Sequence, residues 1–156
     1  MSNDRLYILK AIELASASIS DGGGPFGAVI VKDDKIIAEA SNRVVTTNDP
    51  TAHAEILAIR QASALLHTHD LNGCTLYSSC EPCPMCLGAI YWSGIKKVVF
   101  ACDRNDAEKA GFSDRLIYSE IVLQPHERII SFTREAENEG KKVFRQWDEL
   151  ENKIPY

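Results

Sequence analysis

The segment SSCEPCPMC, Ser78–Cys86, places Cys80, Cys83 and Cys86 within seven residues, and His53-Ala54-Glu55 lies upstream, parted from Pro82 by the 26 residues 56–81. Each segment opens an expected helix. DPTAHAEILAIRQASALL runs at helical spacing, with Asp49 or Thr51 able to cap it and Pro50 suited to its first turn. PCPMCLGAIYWSG starts with Pro84 and ends at Gly94. Two thiolates at i and i+3 share a helical face, and with one imidazole they make a three-donor set suited to zinc. A fold that satisfies this set must bring two helix N-termini to one point. Helix N-termini also favour negative charge, which helps keep the thiols ionised.

The other elements narrow the fold further. Leu6, Leu9, Ile12, Leu14, Ala15 and Ile19 follow helical spacing until Asp21-Gly22-Gly23-Gly24-Pro25 breaks it. FGAVIVK and KIIAEAS, parted by Asp33-Asp34, read as a hairpin; CTLYSS and KKVVFAC read as later strands alternating with helices. One antiparallel hairpin joined to parallel strands predicts a mixed sheet in an α/β fold, with helices on both faces. Gly22, Gly24 and Gly27 spell GxGxxG, but this run follows a helix and opens a strand, the reverse of a dinucleotide fingerprint. Beyond Asp103, RNDAEKAGFSDRLIYSEI reads as turn plus short helix and RIISF as a short edge strand. KKVFRQWDELENK reads as a helix with Phe144, Trp147 and Leu150 at core-like spacing. No repeat or linker interrupts residues 1–156, so one domain is expected.

Composition excludes several classes. Five cysteines cannot all pair, and MSNDRLYILK has no signal-peptide pattern, so a soluble cytoplasmic protein is expected rather than a disulfide scaffold. No apolar run reaches the roughly 18 to 20 residues of a membrane span. The charge is −5, from 17 basic against 22 acidic residues, and the longest basic runs are the pairs Lys96-Lys97 and Lys141-Lys142. That balance leans towards a small neutral substrate and away from a nucleic acid.

Three protein ligands, His53, Cys83 and Cys86, leave one tetrahedral position for water, the catalytic form of a zinc site. His53 and Glu55 are two apart and would diverge on a helix body, so both belong in the first turn, where each can reach a site beyond the helix end. Glu55 is then a proton shuttle and not a ligand. Two alternatives remain at this level: a Cys83–Cys86 redox pair, and a structural zinc with Cys80 as fourth ligand. Otherwise Cys80, Cys74 and Cys102 read as packed thiols.

HAE at 53–55 and PCPMC at 82–86 resemble the cytidine deaminase superfamily. The resemblance implies a three-layer α/β/α sandwich around a central mixed sheet, bound Zn2+, and hydrolysis of an amidine carbon with release of ammonia. PFGAVIVKDDKIIA, SNRVVTTNDPTAHAEILAIRQA and SCEPCPMCLGAIYWSGIKKVVFA are similar to bacterial guanine deaminases and, more loosely, to tRNA adenosine deaminases. Ala110-Gly111-Phe112-Ser113-Asp114, Phe144 to Trp147, and Lys153-Ile154-Pro155-Tyr156 resemble the guanine deaminase branch.

That branch implies guanine plus water giving xanthine plus ammonia, with attack at C2 and Glu55 moving the protons. It implies that Asn42 hydrogen-bonds the purine, that Asp114 accepts from its N–H groups, and that Phe26 and Ala54 contact it. An Asn offers donor and acceptor, whereas an ionised Asp only accepts. Read without the resemblance, Asn42 suits a turn and Asp114 a helix cap. The branch further implies a homodimer that exchanges its C-terminal segment, about residues 134–156, so that Tyr156 closes the partner's site. Phe144 and Trp147 then anchor the exchanged helix or pack in the chain's own core. Trp92 walls the pocket near the interface or fills a core position at its helix end. Two other activities stay open: tRNA-specific adenosine deamination, and deamination of a related amino-heterocycle or nucleoside.

Overall fold

A computed structural model describes residues 3–155, so Tyr156 lies outside the described residues. The chain forms two compact units, residues up to Asp114 and residues from Arg115 onward.

The first unit holds α1 (Asn3–Ser20), β1 (Gly27–Lys32), β2 (Lys35–Ser41), α2 (Val44–Thr47), α3 (Ala54–Leu66), β3 (Thr75–Cys80), α4 (Pro84–Trp92), β4 (Lys97–Cys102) and α5 (Arg104–Lys109). The strands lie in the order β2-β1-β3-β4. β1 pairs antiparallel with both β2 and β3, and β3 pairs parallel with β4, so the sheet is mixed as expected. Asp33 and Asp34 take left-handed φ of 48° and 57°, the backbone that a two-residue hairpin turn requires.

Burial follows position in the sheet. β1 and β3 are central and covered on both faces, which is why they read as near-continuous apolar runs. Val29, Val31 and Tyr77 pack with Ala11, Tyr7, Ile8 and Leu14 of α1. Ala28, Ile30 and Leu76 pack on the other face with Ala54, Ala58 and Ala62 of α3 and Ile90 of α4. These are the three layers. Gly27 allows α1 to sit close: a Cβ there would lie 2.3 Å from the Ala11 carbonyl oxygen and 2.6 Å from the Ala15 nitrogen. The GxGxxG run thus serves helix packing and a turn.

Several expectations need correction. α3 begins at Ala54 with His53 as its N-cap. Asp49 does not cap it, because its carboxylate closes a local turn, accepting from the Thr51 backbone N–H at 2.8 Å and the Thr51 hydroxyl at 2.7 Å. Trp92 is 70% exposed, so it is not a core residue of this chain. Cys102 is exposed because β4 is an edge strand, whereas Cys74 and Cys80 are buried thiols as expected.

The second unit holds α6 (Arg115–Ile121), a 3-10 turn (Pro125–Glu127) and α7 (Glu137–Asp148). Residues 128–132 form no strand, since no strand of their own unit is there to pair with them. Ile129 and Ile130 are exposed instead. No described residue from Arg115 onward is buried. Phe144 is 74% exposed, so the own-core alternative for Phe144 and Trp147 fails.

Candidate active site and metal centre

The expected convergence of two helix starts is present. His53 caps α3 in extended backbone, and Cys83 caps α4 in the same way with Pro84 at its first helical position. Ligand atoms of His53, Cys83 and Cys86 all lie within 4.8 Å of one another. His53 Nδ1 is 3.6 Å from Cys83 Sγ and 3.6 Å from Cys86 Sγ. Zinc bonds of about 2.1 Å to nitrogen and 2.3 Å to sulfur at a tetrahedral angle separate the two donors by about 3.6 Å, so the donor set fits zinc in both chemistry and spacing.

The remaining thiols do not join this set. The Cys80 Sγ–H faces the Asp103 carbonyl oxygen at 3.5 Å, and burial pushes its pKa up to about 11. A closed four-ligand site therefore lacks its fourth donor among the described residues. A redox pair is the poorer account of Cys83 and Cys86, because both thiols share their site with an imidazole that such chemistry does not use.

The Cys86 thiol donates to Cys83, which with His53 beside it holds Cys83 down to about 4; the same contact and burial push Cys86 up. The Cys83 hydrogen bond raises His53, against the opposing effect of burial.

Glu55, in the first turn of α3, is 5% exposed. Its Oε1 accepts from the Ser78 hydroxyl at 3.0 Å, and its Oε2 lies 3.5 Å from Cys86 Sγ. Burial raises its pKa, the direction that suits a proton carrier near neutrality. The carboxylate thus stands beside the donor trio while the trio is complete without it.

Asn42 is buried just past β2 and is held by four contacts. Its carbonyl oxygen accepts from the Ser18 hydroxyl at 3.1 Å, and its N–H donates to the Phe26 carbonyl at 2.9 Å. Its side-chain Oδ1 accepts from Gly24 N–H at 3.4 Å and from Val44 N–H at 3.2 Å. Two N–H donors on one oxygen assign that atom as the carbonyl, which leaves the Nδ2 amide as the group to offer a ligand. Asn42 is therefore a turn former, as its sequence context allowed, with a donor to spare. Gly23 permits this, since a Cβ there would lie 2.4 Å from the Asn42 carbonyl oxygen.

Phe26 meets Phe112 edge to face, with centroids 4.9 Å apart and planes at 86°. Phe112, which the sequence shows only as part of a motif, thus packs against Phe26. Asp114 is half-buried; burial, then the Cys83 charge, raises its pKa. The Ala54 side chain is fully buried in the core, so the backbone is the part it can offer a ligand. Ser78 was missed altogether, because a serine within a strand carries no signal of what it faces.

Residues 1–102 match the family described as the cytidine and deoxycytidylate deaminase zinc-binding region. The chain is similar to a guanine deaminase of Bacillus subtilis, 50% identical over 155 residues and 99% of each chain. The solved structure of a Bacillus subtilis guanine deaminase superposes with a TM-score of 0.94 at 50% identity, over 97% of this chain and 98% of that one. Likeness to a tRNA-specific adenosine deaminase of Aquifex aeolicus is 48% over 96 residues, covering 61% of this chain and 64% of that protein. A further structure, solved in complex with 2,6-diaminopurine, superposes with a TM-score of 0.68 at 41% identity over 72% of this chain and 63% of that one.

Proposed function

The chain belongs to the cytidine and deoxycytidylate deaminase family, and on that premise we propose that it hydrolyses guanine to xanthine and ammonia. The observation that carries the reaction type is the buried Glu55 carboxylate beside a three-donor zinc site that leaves a position open. The choice of guanine is supported by end-to-end likeness to a guanine deaminase, over 99% of the chain, whereas likeness to tRNA-specific adenosine deaminases covers 61% to 74% of it.

Held by His53, Cys83 and Cys86, zinc supplies a nucleophile at neutral pH by lowering the pKa of water. Glu55 accepts the first proton that the attacking water gives up and delivers it to a purine ring nitrogen; it then takes the second proton from the attacking oxygen and delivers it to the amine as the C2–N bond breaks. Asn42 donates from Nδ2 to an acceptor on the purine, while Asp114 accepts from its N–H groups. Phe26 and Phe112 wall the ring, and Ala54 contacts it through its backbone at the start of α3. A half-buried Asp114 facing a base without a matching N–H loses its partner, which disfavours such bases.

The active form is a homodimer whose C-terminal segments are exchanged, with Tyr156 closing the partner's site and Trp92 walling it near the interface. The amphipathic α7 supports this reading, since Val143, Phe144 and Trp147 are all exposed in the single chain and require a covering surface. Purine catabolism or salvage in the cytoplasm is the setting; free cysteines are in keeping with it, and no helix among the described residues is long and apolar enough to cross a membrane.

The test is a panel of guanine, guanosine, adenine, cytosine, ammeline and an adenosine-containing anticodon stem-loop, read by ammonia release and product mass. Xanthine from guanine is the expected result. Inosine in the stem-loop with guanine untouched would sink the substrate assignment and leave the zinc site standing.

A further inference from the structure

Ser78 is 1% exposed and sits in β3, with strand partners on both sides: Ala28 of β1 and Phe100 of β4. No position in a sheet is held more firmly than one paired on both edges. Its hydroxyl donates to Glu55 Oε1 at 3.0 Å, across 23 residues of sequence. The other oxygen, Oε2, faces Cys86 Sγ at 3.5 Å. Once both thiols are ionised as zinc ligands, Cys86 has no proton to give Glu55. Glu55 then keeps the Ser78 hydroxyl, which belongs to the sheet.

We infer that Ser78 is the positioning residue of the proton shuttle: it pins Glu55 Oε1 to the central strand and so leaves Oε2 as the oxygen that faces the reacting atoms. This rests on the deaminase reading of the site. A hydroxyl is suited to the task because it donates to a carboxylate and, after rotation, accepts from a carboxylic acid. It can therefore hold Glu55 with and without its proton. An alanine can do neither. Misplacement by about 1 Å is enough to cost about 100-fold in rate, so the effect belongs in kcat.

The test compares wild type with Ser78→Ala, Ser78→Thr and Ser78→Cys. Ser78→Ala is expected to lower kcat by about 10- to 100-fold, with KM within about threefold and zinc content unchanged. Ser78→Thr, which restores the hydroxyl, is expected to recover most of the rate. Ser78→Cys keeps the size with a weaker donor and falls between, which also covers the case of a threonine that does not fit or an alanine that does not fold. In zinc-free protein, the Glu55 carboxyl infrared band, isolated by subtracting the Glu55→Gln spectrum, is expected to shift in Ser78→Ala. An unchanged kcat in folded Ser78→Ala, or an unshifted band, overturns the inference. If wild type leaves guanine untouched, the substrate reading fails alone: the same variants are then compared on whichever panel substrate releases ammonia, and the infrared measurement needs no substrate.

Discussion

His53 Nδ1 and Cys83 Sγ lie 3.6 Å apart although 30 positions separate them in the chain. Each belongs to the cap of a different helix, so the separation is set by how α3 and α4 pack on one face of the sheet. The site is therefore part of the fold, and emptying it has consequences for both.

Removal of zinc by a chelator is expected to abolish ammonia release and lower Tm. At a thousandfold excess over Kd a bound ion contributes about 4 kcal/mol, or about 10 °C for a chain of this size. Zinc should restore both quantities together. Recovery of full activity in protein shown by metal analysis to be zinc-free would refute the assignment.

Glu55→Gln keeps the size of the side chain and removes its proton-carrying ability. Zinc content should stay the same while kcat falls about 100- to 10,000-fold, the range for a positioned acid-base group. Substantial residual turnover would remove Glu55 from the shuttle role.

Asn42 serves two functions that two substitutions separate. Asn42→Asp keeps an acceptor for the Gly24 and Val44 N–H groups but loses the Nδ2 donor. It should fold with a Tm near wild type while kcat/KM for guanine falls at least about tenfold. Asn42→Ala loses the acceptor as well and should lose about 1 to 3 kcal/mol of stability on urea unfolding. Equal stability in the two variants would contradict this division.

Asp4 gives the fold a dependence on pH remote from the site. Its Oδ1 accepts from the Tyr77 hydroxyl at 2.6 Å and from Lys97 Nζ at 2.9 Å, and these contacts, Tyr77 first, lower its pKa. A carboxyl with a lower pKa in the folded state stabilises the fold above its unfolded value, about pH 4, and that contribution is lost as pH falls through the folded value. The stability difference between wild type and Asp4→Asn should be largest near neutrality and shrink below about pH 4. A difference that grows on acidification would contradict the sign.

For the exchanged dimer, light scattering should give twice the chain mass, and Phe144→Asp should shift the population towards monomer. Inactive Glu55→Gln and Tyr156→Ala chains, unfolded and refolded together, should regain activity, since one site of the hybrid combines an intact Glu55 with an intact Tyr156. No recovery would mean that Tyr156 acts within its own chain or not at all.

Much of the first unit was legible because its signals are local. The apolar runs of β1 and β3, the Asp33-Asp34 turn, and Pro84 and Gly94 bracketing α4 each state their conformation within a few residues. Helix starts were less exact: Asp49 resembled a cap, but its carboxylate reaches the nearer Thr51 N–H first. RIISF has strand composition, yet a strand forms only where a partner edge lies alongside, and composition does not say whether one does.

The spacing of HAE and PCPMC narrowed the donor set to His53, Cys83 and Cys86, with a fourth thiol from Cys80 or a redox pair left open, because ligand chemistry permits few ways to combine one imidazole with two thiolates and an adjacent carboxylate. Tertiary structure decided what surrounds it. Only the packing of α3 on β3 puts the Ser78 hydroxyl against Glu55, and only the Gly23 turn beside Ser18 commits Asn42 Oδ1 to backbone and leaves Nδ2 available. Serine and asparagine carry the same groups wherever they stand in a chain; which atoms those groups meet depends on contacts between residues distant in sequence, and these exist only once the layers have packed.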